Sequence, residues 1–268
     1  MTTPITDGTI QTVVNDWIAD PSAPEFTNPS NVPFYSIIED WNVTAVTNMS
    51  NLFENKTTFN DNISNWDVSN VTNMNSMYKG AILYNKNLNG WGNKLNLVID
   101  MSDMFNGAIV FNQDLEEWNT SSVTNMSNMF NGASAFNGKL LNWNTSSVTD
   151  MSNMFQNATA FNRSINTSYI STSVPPYNAW DTLSVINMSN MFNGASAFNQ
   201  VLNNWNTSSV TDMSNMFQNA IIFNKIINTL EVTVGSSTYV AWNTLFVTSM
   251  IEMFNGASNF NGNIGNWN

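Results

Sequence analysis

The residues best equipped for chemistry are carboxylates: Asp100 stands three residues before Asp103, and Asp114 is followed by Glu116 and Glu117. Acidic clusters can ligate calcium, and a carboxylate pair can hydrolyse glycosides, one acting as general acid and the other as nucleophile or base. Neither cluster has the spacing of an EF-hand loop or of a nonapeptide calcium repeat. Solvated surface charge is the default reading. There is no Cys and no His among the 268 residues. Disulfides, thiolate nucleophiles, the usual zinc sites and Ser-His-Asp triads are thereby excluded. The chain reads as a non-enzyme, with no metal or cofactor expected.

Charge narrows the partners. Seven Lys+Arg stand against 19 Asp+Glu, a net charge of −12. A nucleic-acid binder needs a basic footprint to displace counterions, and this chain has none. The same deficit opposes binding to anionic membranes. No run of 18 apolar residues occurs, so no membrane insertion is expected. Residues 1–8 lack the basic and apolar regions of a signal peptide. A hydrophobic fraction of 42% is enough to fill a core.

The element that must position every side chain is a repeat. Trp41, Trp66, Trp91, Trp118, Trp143, Trp180, Trp205, Trp242 and Trp267 follow one another at 25, 25, 27, 25, 37, 25, 37 and 25 residues. The period is 25, with insertions of 2, 12 and 12 residues. Asn142 to Asn157 returns almost unchanged from Asn204 to Asn219, so a 62-residue block has been duplicated. Within each unit Val-Thr-Asn-Met suits a brief strand. Met126, Met129, Phe130 and Ala133 then fall at i, i+3, i+4 and i+7, one face of a short helix, with Ser127 placed to cap it. The residue before each Ala is always Gly or Asn (Asn55, Gly80, Gly107, Gly132, Asn157, Gly194, Asn219, Gly256), the types that tolerate a left-handed helix end. One such coil cannot bury its apolar face alone, so neighbours must stack. Val and Met lie three apart, which strict alternation puts on opposite faces, so a bulge or an early helix start is expected.

The unit W-N-x-x-x-V-T-x-M-S-x-M-F-x-G-A-x-x-F-N-x-x-I resembles the repeats of the BspA-like, leucine-rich-repeat-type surface proteins, including mycoplasmal lipoproteins of unknown function. The resemblance covers about residues 41–268. It implies an α/β fold: a single right-handed leucine-rich-repeat-like solenoid of about eight 25-residue coils, each a short parallel strand plus a helical turn. It also implies a surface or adhesive role, extracellular or on a cell or virion, with no enzymatic activity. The chain departs from the family in having no lipoprotein leader, no anchor and two 12-residue insertions.

Residues 1–40 read as a cap ahead of the array. Thr9 to Ala19 forms an amphipathic helix with Asp7 as its cap, and Pro21, Pro24, Pro29 and Pro33 mark an extended crossing. The insertions, near residues 167–179 and 229–241, each read as strand, turn, strand and should project from one side of the stack, two rungs apart. The recurrent Asn after each aromatic, from Asn60 to Asn261, reads as a buried structural ladder, and the Met column as core filling. No cleft is implied by this architecture.

Two functions stand in competition. One is an interaction module binding a protein or glycan ligand, with the Thr row (Thr72, Thr124, Thr149, Thr211) and the insertion tyrosines Tyr177 and Tyr239 as candidate surface. The other is a structural subunit that self-associates end to end, with Trp17 at one end and Ile264 and Trp267 at the other as candidate contacts. A regular Thr row could also match an ice or mineral lattice, but Ile99 and Ile186 interrupt it.

Overall fold

A computed structural model describes residues 4–31 and 34–267. Pro33 of the expected crossing and Asn268 at the last motif lie outside the described residues. Helix α1 (Ile10–Ala19) comes first and buries Ile10, Val13 and Val14. It is followed by the short α2 (Pro24–Thr27). The Pro-rich crossing is therefore not wholly extended. Pro24 opens a helical turn, where a missing N–H costs nothing.

From Trp41 onward the chain folds as coils laid on one another. One residue per coil carries a parallel bridge to the next: Asn48 to Asn73, Asn73 to Asp100, and so on through Asp212 to Ser249. The expected strand thus shrinks to a single bridging position in each coil.

The helical turn expected in each coil is replaced by a run of four-residue turns. Met126, Met129, Phe130 and Ala133 are buried, as a helix face would be. Yet the N–H groups of Met129, Asn131 and Ala133 close turns onto Met126, Asn128 and Phe130 at 3.3, 3.0 and 3.1 Å. The intervening N–H groups of Met126, Asn128, Phe130 and Gly132 leave the coil altogether. They donate to the carbonyls of Asp150, Ser152, Met154 and Gln156 in the next coil, at 3.0, 2.8, 2.9 and 2.7 Å. A helix would keep those donors for itself. Two residues make the outward ladder possible, Asn128 at φ 57° and Gly132 at φ 69°, both left-handed and both incompatible with a helix interior.

The Gly/Asn position is left-handed in all eight coils, so the residue restriction seen in the sequence closes a turn and not a helix. The second left-handed position went unread: Asn51, Ser76, Asp103, Asn128, Asn153, Asn190, Asn215 and Glu252 all have φ between 52° and 59°. Five of these eight are Asn, the non-glycine residue most at ease there, which was the available signal. Ser127 is not a helix cap either. It donates its N–H and hydroxyl to Asn125 Oδ1, at 3.0 and 2.8 Å. The bridging Asn or Asp caps the first turn, as Asp100 does for Ser102 and Asp212 for Ser214. Because the chain bends immediately after the bridge, Val123 and Met126 both point inward.

The core is three aromatic columns. Trp118 stacks on Trp143 at 6.2 Å and 6°, and Trp143 on Trp180 at 6.0 Å and 9°. Phe105, Phe130 and Phe155 form a second column at 5.6 Å spacing. Phe111, Phe136 and Phe161 form a third at 5.9 and 5.8 Å. Tyr78 and Tyr84 replace phenylalanines in one coil, and the Tyr78 hydroxyl donates to that of Tyr84 at 3.2 Å. Burial pushes both phenols above their ordinary pKa, so they stay neutral. From Trp66 onward each Trp also donates Nε1 to a carbonyl 28 to 40 residues back, as Trp143 does to Leu115 at 2.8 Å. Burying the indole therefore leaves no polar group unpaired.

The Asn ladder lies elsewhere than expected. Asn112 Oδ1 accepts from the N–H of Asn137 at 2.8 Å, and Asn137 Oδ1 from Asn162 at 3.0 Å. The rungs are half-buried or exposed, so the ladder runs along a surface corner and not through the core. Its role of satisfying backbone donors holds; its burial does not.

The N-terminal segment closes the first coil. Asp7 is not the cap of α1: its Oδ1 accepts from the N–H groups of Thr47 and Asn48 at 2.7 and 3.0 Å, and its Oδ2 from the Thr47 hydroxyl at 2.6 Å. In later coils the equivalent acceptor is the preceding carbonyl, as when Thr72 donates to Thr47 O at 2.8 Å. Asp7 stands in for a missing coil. Gln11 does the complementary job, donating to Leu52 O at 3.2 Å.

Candidate functional site

The threonine row is a surface column. Thr72, Thr124 and Thr149 are exposed and Thr211 is half-buried. Their hydroxyls are not free: each donates to the carbonyl one coil back, Thr124 to Ile99 at 3.3 Å and Thr149 to Thr124 at 3.2 Å. The row therefore presents methyl groups and acceptor lone pairs, while its donors strengthen the stack. Ile99 and Ile186, about half exposed, sit in the same column. This column is bonded as part of the coil wall.

The end-to-end candidates are unequal. Trp17 is covered, packing edge-on against Phe26 and Trp41 at 5.2 and 6.0 Å and donating to Asp61 Oδ2 at 2.8 Å. It packs onto the first coil and is half-buried. Trp267 stacks on Trp242 at 5.9 Å and donates to Ile227 O, and both it and Ile264 are half-buried.

The insertions form two antiparallel hairpins, β1 (Ser168–Ile170) with β2 (Tyr177–Ala179), and β3 (Leu230–Val234) with β4 (Ser237–Ala241). Both are rooted alike. Thr167 and Thr229 donate their hydroxyls to the carbonyls of Trp180 and Trp242, at 2.7 Å each. Trp180 and Trp242 take φ values of 51° and 49°, bulky residues held left-handed where the hairpin rejoins the coil. Tyr177 and Tyr239 are half-buried. Their hydroxyls donate to the carbonyls of Asn142 and Asn204, pinning each hairpin to its coil. Burial raises the pKa of both phenols, with the negative charge of Glu117 adding to the effect at Tyr177.

The hairpins differ in what lies beneath them. The second rests on the first: a Cβ on Gly235 would fall 2.5 Å from the Tyr169 ring, so only glycine lets the two touch. The first has no hairpin below it and overhangs the coil corners instead. A cleft of about 780 Å³ results, walled by residues 169–175 and Tyr177 on one side and by Asn93, residues 116–121, Asn142 and Asn144 on the other. The expectation that this architecture has no cleft is corrected by the insertion that makes one. Two of the acidic residues singled out above, Glu116 and Glu117, line it. The third, Asp114, is held with Glu116 by Lys139 at 3.6 and 3.5 Å. Asp103 pairs with Lys79 at 3.2 Å, and Asp100 caps its own turn. Among the described residues no three acidic groups converge as a metal site.

No helix among the described residues is long and apolar enough to cross a membrane. Comparison with curated proteins and with solved structures gives no match. A family described as Mycoplasma protein of unknown function, DUF285, matches three times in tandem, over residues 25–96, 93–179 and 168–268. Tandem repetition, bridged coils and the span of the match agree, and the chain belongs to this repeat family.

Proposed function

We propose that this chain is a non-enzymatic interaction module, a leucine-rich-repeat-type solenoid of the BspA-like kind that holds a ligand-binding surface outside a cell or virion. The observation that carries the reading is how the recurrent residues are used. Trp, Phe, Val and Met columns fill the core, and Asn and Thr columns bond coil to coil, so what varies and projects is the insertions. Repeat arrays place such insertions on their binding face. The ligand is a protein or a glycan at a surface. The test is binding to immobilised surface glycans and surface proteins by the wild type and by a variant with both insertions cut back to the 25-residue spacing. The trimmed variant should keep cooperative unfolding and lose binding; retained binding would sink the reading.

A second reading, end-to-end self-assembly, is favoured by the coil around Met250. The N–H groups of Met250, Glu252, Phe254 and Gly256 find no acceptor among the described residues, and Leu245, Phe246 and Ile251 are 60–69% exposed. Such an edge invites pairing. The opposite end argues against long fibres, because Asp7, Gln11 and α1 already occupy the complementary groups. Size-exclusion chromatography with electron microscopy separates the two: rods longer than one chain support assembly, and a strict monomer removes it.

A further inference from the structure

We propose that the cleft beneath the first hairpin binds a neutral oligosaccharide, an inference that rests on the chain being an interaction module and names the ligand class. Its volume, about 780 Å³, lies within the range of roughly 300–1,000 Å³ typical of small-ligand sites. Its walls are dominated by amides and hydroxyls, from Asn93, Asn119, Asn142 and Asn144 with the serines and threonines of both sides. The side chains of Asn93 and Asn142 make no hydrogen bond among the described residues. Asn119 and Asn144 accept from Ser121 and Ser146 through Oδ1, which leaves their Nδ2 groups as donors. Amides that both donate and accept, beside carboxylates that accept, match a ligand dense in hydroxyl groups.

Charge fixes the sign. Glu116 and Glu117 line the cleft and no Lys or Arg does, so sulfated, phosphorylated or uronic sugars find no cationic partner in its walls. Tyr177, half-buried and paired with Ile170 across the hairpin, reaches the carbonyl of Asn142 on the opposite wall and brings an aromatic ring to the cleft, whereas Tyr169 alternates to the other face, against Gly235 of the second hairpin. An aromatic ring with a polar tip suits a sugar, which has apolar C–H faces and polar edges. A peptide would need apolar anchors. Of the cleft's apolar side chains only Val174 and Pro175 at the loop tip are exposed, while Trp118 is buried and Ile170 and Tyr177 are half-buried.

Titration calorimetry with cellohexaose, maltohexaose and chitohexaose, and with a heparin hexasaccharide as the anionic comparison, tests this. At least one neutral sugar should bind and the heparin fragment should not. Asn142→Ala and Asn93→Ala should each weaken binding several-fold, and Thr238→Ala on the second hairpin not at all. Near-ultraviolet circular dichroism checks that the tryptophan column survives in each variant, and Asn142→Ala leaves the carbonyl that holds Tyr177 in place. Failure of all three neutral sugars, or tighter binding of the heparin fragment, overturns the proposal. Sugar binding that persists unchanged in Asn93→Ala and Asn142→Ala also overturns it, while leaving the wider interaction reading intact.

Discussion

The tryptophan and threonine columns recur in the sequence with similar regularity, yet one lies inside the coil wall and the other outside it. Each is tied to the coil before by a side-chain donor, Trp143 Nε1 to Leu115 O at 2.8 Å and Thr149 Oγ1 to Thr124 O at 3.2 Å. Trp143 is fully buried among stacked rings, whereas Thr149 is exposed. Recurrence therefore marks a shared hydrogen-bond geometry between coils. It does not report burial, and it does not report function. The cleft, which has the shape of a site, exists only where an insertion overhangs the recurrent coil corners.

The contrast can be broken by mutation. Trp143→Ala, in the middle of the array, should cost about 3–5 kcal/mol in chemical denaturation, from lost burial and the cavity left behind. Gly194→Ala should cost about 1–2 kcal/mol, because its left-handed backbone resists a side chain and the new Cβ would fall 2.3 Å from Asn157 Oδ1. Gly132→Ala should cost less, since its nearest neighbours there are Gly107 atoms at 3.8 Å. Asn137→Ala leaves the Asn162 N–H without its acceptor and should cost about 1 kcal/mol, the half-exposed site allowing water to compensate in part.

Two smaller effects sharpen the same comparison. At Asp7 burial works to raise the pKa, but hydrogen bonds from Thr47 and Asn48 outweigh it and hold the carboxyl below its ordinary value. The stability it supplies is thus present above the unfolded carboxylate pKa and lost as pH falls through the lower, folded one. Solvent screening keeps this contribution below about 1 kcal/mol. Asp7→Asn should flatten that acid limb in thermal melts taken across the carboxylate range. Thr149→Ala should shift stability by no more than about 0.5 kcal/mol. Equal losses at Trp143 and Thr149 would erase the distinction between the columns.

The reading of the turns shows where sequence patterns mislead. Burial at i, i+3, i+4 and i+7 was legible and correct for Met126, Met129, Phe130 and Ala133. The helix inferred from it was not, because a periodicity of buried residues does not say where the N–H groups go. In a lone segment they would close a helix; beside a neighbouring coil they find better-placed acceptors outside. Asn128 carried the missing information, since an Asn recurring at one turn position signals a left-handed backbone as Gly does. Ser127 looked like a cap for the same reason that Asn125 is one: both have short side chains with an oxygen near the backbone. The cleft could not be read at all. It depends on the first hairpin having no hairpin beneath it, which follows only once the 62-residue duplication is laid out in space.

What the amino-acid order determined alone was the period, the coil count, the three apolar columns, the left-handed glycines and the sites of insertion, because each is written as a local residue restriction repeated along the chain. What the tertiary structure decided was the direction of the backbone donors, the surface position of the Asn ladder, the capping of the first coil by Asp7 and the space beneath the first hairpin. These depend on contacts between residues 25 or more positions apart, and no local preference can specify which partner a donor will meet until the coils are stacked.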